Sequence, residues 1–368
     1  MTRDSTSPAT GTFTDRKARS PAWTCARLGL ALVRARLRGD EAERARIGEA
    51  LALSRCDPRW ASTLSAYLGF VGPDGRRRPV PYVRPSRAGP GAIPIRADAR
   101  VAILSDWATG RPAAMAVLRD LAARADPDAL LHLGDIYYAG TAEECEANFR
   151  RPVEAALRSR PRRPGGRVAV YPLSGNHDMY AGGEAWYAML RRLNRGRARQ
   201  RASFFCLRSA DARWQFLATD TGLRSDDPFG RQPPVSIEPE EEDWLEARVA
   251  EFAGGATVLL SHHQPFSALE RAGERGSAEA WNPNLRRLFG RLDAAARGAG
   301  GRIAAWFWGH EHTLALYAPY GGLERGRNVG CGAIPVFVGE EDDGRRGFRA
   351  PLPGLRDPPA ILDRKSVV

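Results

Sequence analysis

Nine residues of this chain carry donor groups at a recurring kind of place: Asp106, Asp135, Tyr138, Asn176, His177, His262, His263, His310 and His312. Each closes or follows a short apolar run. The runs are VAILSD ending at Asp106, LLHLGDIYY with Asp135 and Tyr138, VAVYPLSGNHD with Asn176 and His177, ATVLLSHH with His262 and His263, and IAAWFWGHEH with His310 and His312. The chain has six histidines, and five of them sit at these run ends. The sixth, His132, precedes Leu133-Gly134 inside its run and reads as an ordinary strand histidine. Carboxylate and imidazole together suit Zn, Fe or Mn rather than Ca or Mg. The set is larger than one tetrahedral ion needs. Two ions about 3.5–4 Å apart would use it all, with one carboxylate as a bridge. Such a pair polarises a phosphoryl oxygen and lowers the pKa of bound water, so in-line attack on a phosphate ester is the natural reaction. Each piece alone has a plainer explanation. Gly175-Asn176-His177-Asp178 suits a turn, and Gly309-His310-Glu311-His312 suits a strand terminus with both histidines on one face. Five such pieces together do not share one.

Positioning these groups needs strands that stop abruptly. From Val101 the chain alternates apolar strands with helices: a strand over 101–104, a helix over 113–125 and a strand over 128–133. That order argues for an α/β layered core, in which ligands gather outside the carboxyl ends of strands. Strands are expected over 203–207, 214–219, 256–260, 303–308 and 329–338, and helices over 240–252 and 285–296. Upstream, residues 23–53 have helical periodicity, with Leu28, Leu32 and Ala35 on one face and Leu30, Val33 and Leu37 beside it. Asp40 is placed to cap a second helix there, and a further helical piece spans 60–70. Residues 72–94 are too proline-dense for a helix or a central strand. The resulting division is a disordered arm, small helical extension and Pro-rich linker over 1–95, a catalytic domain over 96–340, and a charged tail over 341–368. The helical extension reads as packing against the main domain in preference to a lid or a partner-binding module, whose protein partner the sequence does not name.

The totals exclude several classes. The hydrophobic fraction of 43% is that of a globular protein. No apolar run approaches the roughly 18 residues of a membrane span, and no secretory signal is evident, so a cytoplasmic location without membrane attachment is expected. Five widely spaced cysteines without a C-x-x-C pair imply reduced thiols. The net charge of +12 is attractive to anions, but only Lys17 and Lys365 are lysine, and such an arginine skew looks like coding bias.

The motif series D-x-x-x-G, G-D-x-x-Y, G-N-H-D, a strand-end histidine and G-H-x-H resembles that of the calcineurin-like metallophosphoesterases, and the tyrosine resembles the purple acid phosphatase branch. The resemblance spans about Val101 to Val338. It implies a two-sheet β-sandwich flanked by helices and a centre of two metal ions, iron with Fe, Zn or Mn. It implies that Asp106, Asp135, Tyr138 and His312 hold the first ion, with Asp135 bridging, and that Asn176, His262 and His310 complete the second. His177 would lie outside the ligands as an acid or phosphate-stabilising group, and His263 would contact substrate. Most of the wider family has a histidine where this chain has Ala108. Tyr138 would replace it, the D-x-x-Y spacing favouring Tyr138 over Tyr137. A tyrosinate ligand in turn favours ferric iron.

The implied partner is a phosphate ester. Nucleic acid is the second reading, because Arg191, Arg192, Arg195, Arg197, Arg199 and Arg201 crowd together after the G-N-H-D loop with no acid among them. They would clamp a polyanion, although a solvated loop in an arginine-biased chain is the plainer account.

Overall fold

The computed structural model describes residues 21–51, 57, 59–89, 91–158, 167–227, 234–273, 277–332 and 354–365. The arm expected at the N-terminus lies almost wholly outside them. Two compact units are present, bounded as Met1–Asp57 with Phe337–Arg349 and Pro58–Val336 with Ala350–Val368.

In the first unit, α1 (Pro21–Leu37) and α2 (Glu41–Leu51) form a helical pair. The Asp40 carboxylate accepts the Glu43 amide at 2.9 Å and so caps α2, as its position implies. Ala35 and Ile47 are buried between the helices, whereas Leu30, Val33 and Leu37 are exposed.

In the second unit the elements run α3 (Trp60–Gly69), β1 (Ile93–Ile95), β2 (Val101–Leu104), α4 (Pro112–Asp120), β3 (Ala129–His132), α5 (Ala142–Glu144), α6 (Arg151–Arg158), β4 (Ala169–Pro172), α7 (Asn176–Tyr180), α8 (Glu184–Leu193), β5 (Phe205–Ser209), β6 (Trp214–Ala218), α9 (Pro239–Ala250), β7 (Ala256–Leu260), α10 (Pro283–Gly298), β8 (Arg302–Trp308), β9 (Leu314–Tyr317), β10 (Gly326–Val329) and β11 (Ile361–Lys365). They build two sheets. One has three parallel strands in the order β2-β3-β4, and the other has eight in the order β1-β5-β6-β7-β8-β10-β9-β11.

Strand alternation sorts the core into layers. Val101, Ile103, Ala129, Leu131 and Tyr171 of the small sheet face Phe205, Leu207, Val258, Leu260 and Ala305 of the large one. Leu104, Leu130 and Val170 point the other way, onto Leu118, Phe149, Val153, Trp186 and Leu190. The outer face of the large sheet packs Leu245, Val249, Leu285, Leu288 and Leu292. The result is a two-sheet sandwich with helices on both outer faces, as the resemblance implies. His132 follows the alternation: it shares Leu130's face, with its ring centroid 4.9 Å from that of Phe149 and 6.5 Å from that of Trp107.

Three expectations change. The Pro-rich stretch ends in β1, which pairs in parallel with β5; β1 is an edge strand, where Pro94 is tolerated. The charged tail contains β11, which pairs antiparallel with β9 at the opposite edge. The strand expected over 329–338 is β10, which ends at Val329, and residues from 333 onward in that stretch lie outside the described ones. No described helix is long and apolar enough to cross a membrane.

Candidate metal centre

The small sheet contributes one side of the site. Asp106, Asp135 and Asn176 follow β2, β3 and β4 within a few residues of their carboxyl ends. Asp106 and Asp135 have φ of 54° and 71°, in the left-handed region that non-glycine residues rarely adopt. Such backbone clusters at functional sites, where surrounding contacts enforce it. The contacts here are specific. The Asp178 carboxylate accepts the amides of Gly175 at 2.7 Å, Asp135 at 3.0 Å and Ile136 at 3.1 Å, tying the β3 and β4 loops together. Gly134, at φ 111°, could not carry a side chain: a Cβ there would lie 2.6 Å from His262 Nδ1 and 2.8 Å from the Gly175 nitrogen. A Cβ at Gly175 would lie 2.1 Å from Asp135 Oδ1.

The large sheet contributes the other side. His262 follows β7, and its Nδ1 donates to the Leu133 carbonyl at 2.9 Å. That bond fixes the tautomer and turns Nε2 inward, to 3.0 Å from Asn176 Oδ1 and 3.4 Å from Asp135 Oδ1. His310 and His312 lie beyond the end of β8, and His310 is itself left-handed at φ 66°. The strand period therefore does not govern the pair. His310 Nδ1 is 3.1 Å from Asn176 Oδ1 and 3.3 Å from His262 Nε2, whereas His312 Nε2 is 3.5 Å from Asp106 Oδ1. Buried Glu311 between them holds the turn, accepting from Trp308 Nε1 at 3.2 Å and from the Ser267 hydroxyl. The His310 amide donates to Asp106 Oδ2 at 2.9 Å.

The two adjacent tyrosines are placed differently, although the D-x-x-Y spacing favours Tyr138. Tyr137, not Tyr138, brings its hydroxyl among these groups, 2.8 Å from Asp106 Oδ1, 3.0 Å from Asp135 Oδ2 and 3.1 Å from His312 Nε2. The reason lies in the backbone. The Tyr137 amide donates to the Ala108 carbonyl at 3.0 Å, so Tyr137 lies beside the position where the wider family has its histidine. The Tyr138 ring packs edge-on against Trp60, with centroids 5.0 Å apart. Its backbone is pinned by Glu144, and its carbonyl accepts His177 Nδ1 at 2.7 Å.

His177 and His263 flank the cluster. His177 Nε2 is 3.8 Å from Asp135 Oδ2. His263 Nδ1 meets the Thr221 hydroxyl at 3.1 Å, and its buried Nε2 has no hydrogen-bond partner among the described residues. His262 and His263 both lie past the end of β7. Ring nitrogens of His262, His263 and His310 fall within 4.8 Å of one another, as do donor atoms of Asp106, Asp135 and His262.

The electrostatics suit a cation. Burial pushes the imidazoles of His177, His262, His263 and His310 below the usual histidine range, that of His177 to about 4, so they stand as neutral donors. Burial opposes ionisation of Asp106, but its bond to His312 and the nearby His262 hold it below the ordinary carboxylate range. Burial first, and then Asp106, raise Asp135. Two buried carboxylates, an orphaned ring nitrogen and three further converging imidazoles are a donor set that a first-row transition metal fits.

Asp178 and Glu311 were visible only as letters inside motifs, since nothing in the spacing distinguishes a residue that holds backbone amides. The arginine cluster begins in the last turn of α8 with Arg191 and Arg192 and continues in the loop after it. Asn194 ties it to both the amide and carbonyl of Val170, and Gln200 ties it to the Pro172 carbonyl. All six arginines are exposed.

Among solved structures, similar folds include GAP50, the anchor in the inner membrane complex of Plasmodium, at 11% identity and a TM-score of 0.47, covering 68% of this chain and 77% of that one. A purple acid phosphatase from yellow lupin (Lupinus luteus) seeds aligns at 15% identity and a TM-score of 0.43, covering 63% of this chain and 44% of that one. PhoD aligns at 11% identity and a TM-score of 0.41, covering 64% and 57%. No curated protein matches the sequence. The family described as calcineurin-like phosphoesterase matches residues 99–314, a span that begins just before β2, ends in β9 and contains every donor named above. On that match the chain belongs to the calcineurin-like phosphoesterases, a family of metal-dependent phosphoesterases.

Proposed function

We propose that the protein hydrolyses phosphate esters at a two-ion centre that includes iron, in the manner of the purple acid phosphatase branch. Asp106, Asp135, Tyr137 and His312 would hold one ion, and Asp135, Asn176, His262 and His310 the other. The observation that carries this reading is the Asp135 carboxylate. Its Oδ2 faces the Tyr137 hydroxyl at 3.0 Å, while its Oδ1 faces His262 Nε2 at 3.4 Å. One carboxylate thus presents an oxygen to each donor set.

When bound, such ions polarise the phosphoryl oxygen and lower the pKa of water. The chain supplies the rest. Asp178 and Glu311 hold the ligand loops, which spares reorganisation as charge develops on the phosphate. The Nδ1–H of His177 is committed to the Tyr138 carbonyl, so Nε2 is the nitrogen that faces the site. An anionic ester beside it favours the protonated ring, and from Nε2 that proton passes to the leaving oxygen or bonds to the phosphate. Buried among two carboxylates, the Tyr137 hydroxyl has a pKa well above the ordinary value, burial being the first cause. Only a strongly Lewis-acidic ion holds it deprotonated, and ferric iron meets that demand.

Elemental analysis of purified protein, run with a panel of phosphate mono- and diesters, tests the reading. Two ions per chain, one of them iron, with turnover of an aryl phosphate are expected. Turnover with a single ion per chain would overturn the two-ion centre, and two ions without turnover of any ester would overturn the hydrolase.

A nucleic-acid substrate is the second reading. It is supported by the six clustered arginines, none of which makes an ion pair with a described residue. Affinity for single-stranded DNA or RNA that falls steeply with salt would support it; affinity indifferent to salt would remove it.

A further inference from the structure

Asn176 differs in kind from the other residues assigned to the second ion. An amide has an oxygen at one end and N–H donors at the other, so its oxygen is held toward an ion only as firmly as its nitrogen is held away. The Asn176 oxygen lies 3.0 Å from His262 Nε2 and 3.1 Å from His310 Nδ1. The nitrogen donates to the Tyr180 hydroxyl at 2.6 Å. Asn176 and Tyr180 are the first and last residues of α7, and their spacing of four puts them on one helix face. Both are buried, where bulk water does not replace a lost partner. The Tyr180 ring also packs on His177, with centroids 4.8 Å apart. Tyr180 is itself held by a residue from outside the family-matched span of 99–314. Arg77 donates from Nη2 to the carbonyls of Met179 and Tyr180, both at 3.0 Å. The same guanidinium pairs with Asp226 and lies 4.6 Å from the ring centroid of Tyr67 in α3 and 5.3 Å from that of Phe70 just after it. Phe70 in turn fills the space over Gly182, where a Cβ would lie 2.0 Å from its ring. The end of α7 is thereby fixed from α3 and the chain that follows it.

We propose that Tyr180 is a positioning residue whose hydroxyl orients the Asn176 amide and sets how strongly its oxygen holds the second ion. The proposal rests on the reading of Asn176 as a ligand given above and names what tunes that ligand. An amide that donates its N–H gathers electron density on its oxygen, which becomes the better ligand. An ion pulling on that oxygen makes the N–H the stronger donor. The bond to Tyr180 and the bond to the ion therefore strengthen each other.

The test is calorimetric titration of the full chain, stripped of metal, with Zn²⁺. The wild type is expected to take up two ions. Tyr180→Phe keeps the ring against His177 and removes only the hydroxyl. It should weaken one ion about tenfold, the usual loss for an outer partner of a metal ligand, and leave the other unchanged. The stripped variant should melt at the wild-type temperature. In an Asn176→Ala background Tyr180→Phe should weaken nothing further, because its effect runs through the amide. Unchanged affinities in Tyr180→Phe, an equal loss at both ions, or the same loss with and without the Asn176 side chain would each overturn the role of Tyr180 and leave the two-ion centre standing. A wild type that takes up a single ion would overturn the two-ion centre instead. Weakening of that ion by Tyr180→Phe would still support the positioning role, and an unchanged affinity would remove it.

Discussion

The two sheets bring different chemistry to one site. The three-stranded sheet delivers oxygen: Asp106, Asp135, Asn176 and, two residues after Asp135, the Tyr137 hydroxyl. The eight-stranded sheet delivers nitrogen: His262, His263, His310 and His312. They are also held differently. The oxygen side is braced from within, because Asp178 joins the loops after β3 and β4 through three backbone amides. The nitrogen side leans across the sandwich, with His262 bonded to the Leu133 carbonyl and the His310 amide bonded to Asp106. The carboxylates form a frame, and the imidazoles are oriented against it. A frame residue should therefore cost more than any residue that rests on it.

The largest expected effect follows directly. Asp135→Ala should lose both ions and at least about 10³-fold in kcat/KM, since the Lewis-acid contribution is several kcal/mol. Elemental analysis of the folded variant decides this. Two ions retained would show that the frame does not depend on Asp135.

His177→Ala separates chemistry from scaffolding. It should retain both ions and lose about 10²- to 10⁴-fold in turnover, most of it with poor leaving groups. An unchanged rate with an alkyl ester would end its assignment to proton transfer.

The tyrosines test which oxygen belongs to the frame. Protein purified with iron should show a visible charge-transfer band. Tyr137→Phe should abolish that band and Tyr138→Phe should leave it in place. The reverse result would return the assignment to the D-x-x-Y spacing.

The smallest effect lies away from the ions. Glu241 is fully buried and accepts from Thr219 Oγ1 and the Asp220 amide, both at 2.8 Å, and from the Tyr82 hydroxyl at 3.1 Å. Burial, and then the charge of Asp220, raise its pKa well above the usual value of 4.5. The unfolded chain releases this proton above that value while the folded chain keeps it, so stability falls as pH rises toward the folded pKa. Glu241→Gln should therefore raise Tm by a few degrees at pH 8 and by less at pH 5, read by calorimetry. An equal gain at both values would show that the carboxyl titrates normally.

Much of this is legible in the sequence. Apolar runs ending in Asp106, Asp135, Asn176, His262 and His310 announce strands that stop where side chains must converge, and the alternation of strand and helix places those ends together. Tyr137 was not legible. Choosing between adjacent tyrosines depends on how the chain leaves a left-handed Asp135, and spacing carries no record of a dihedral angle. Trp60 reads as one more apolar residue of a helix, because Tyr138, against which it packs, lies far along the sequence. β11 was hidden by composition: a short strand in a charged, proline-rich segment gains its stability from β9, and no local pattern reports such a partner.

The bond from the His310 amide to Asp106 joins residues 204 positions apart. Contacts of such separation form late, since loop-closure entropy must be met before they contribute. During synthesis the carboxylates emerge well before the imidazoles, and a chain released early presents a cluster of acids with nothing to complete it. Metal loading is thus an event of the finished fold. Binding an ion that touches both sheets would act as a latch on their association, so that apo protein should exchange the amides around Leu133 and Gly309 faster than the loaded form.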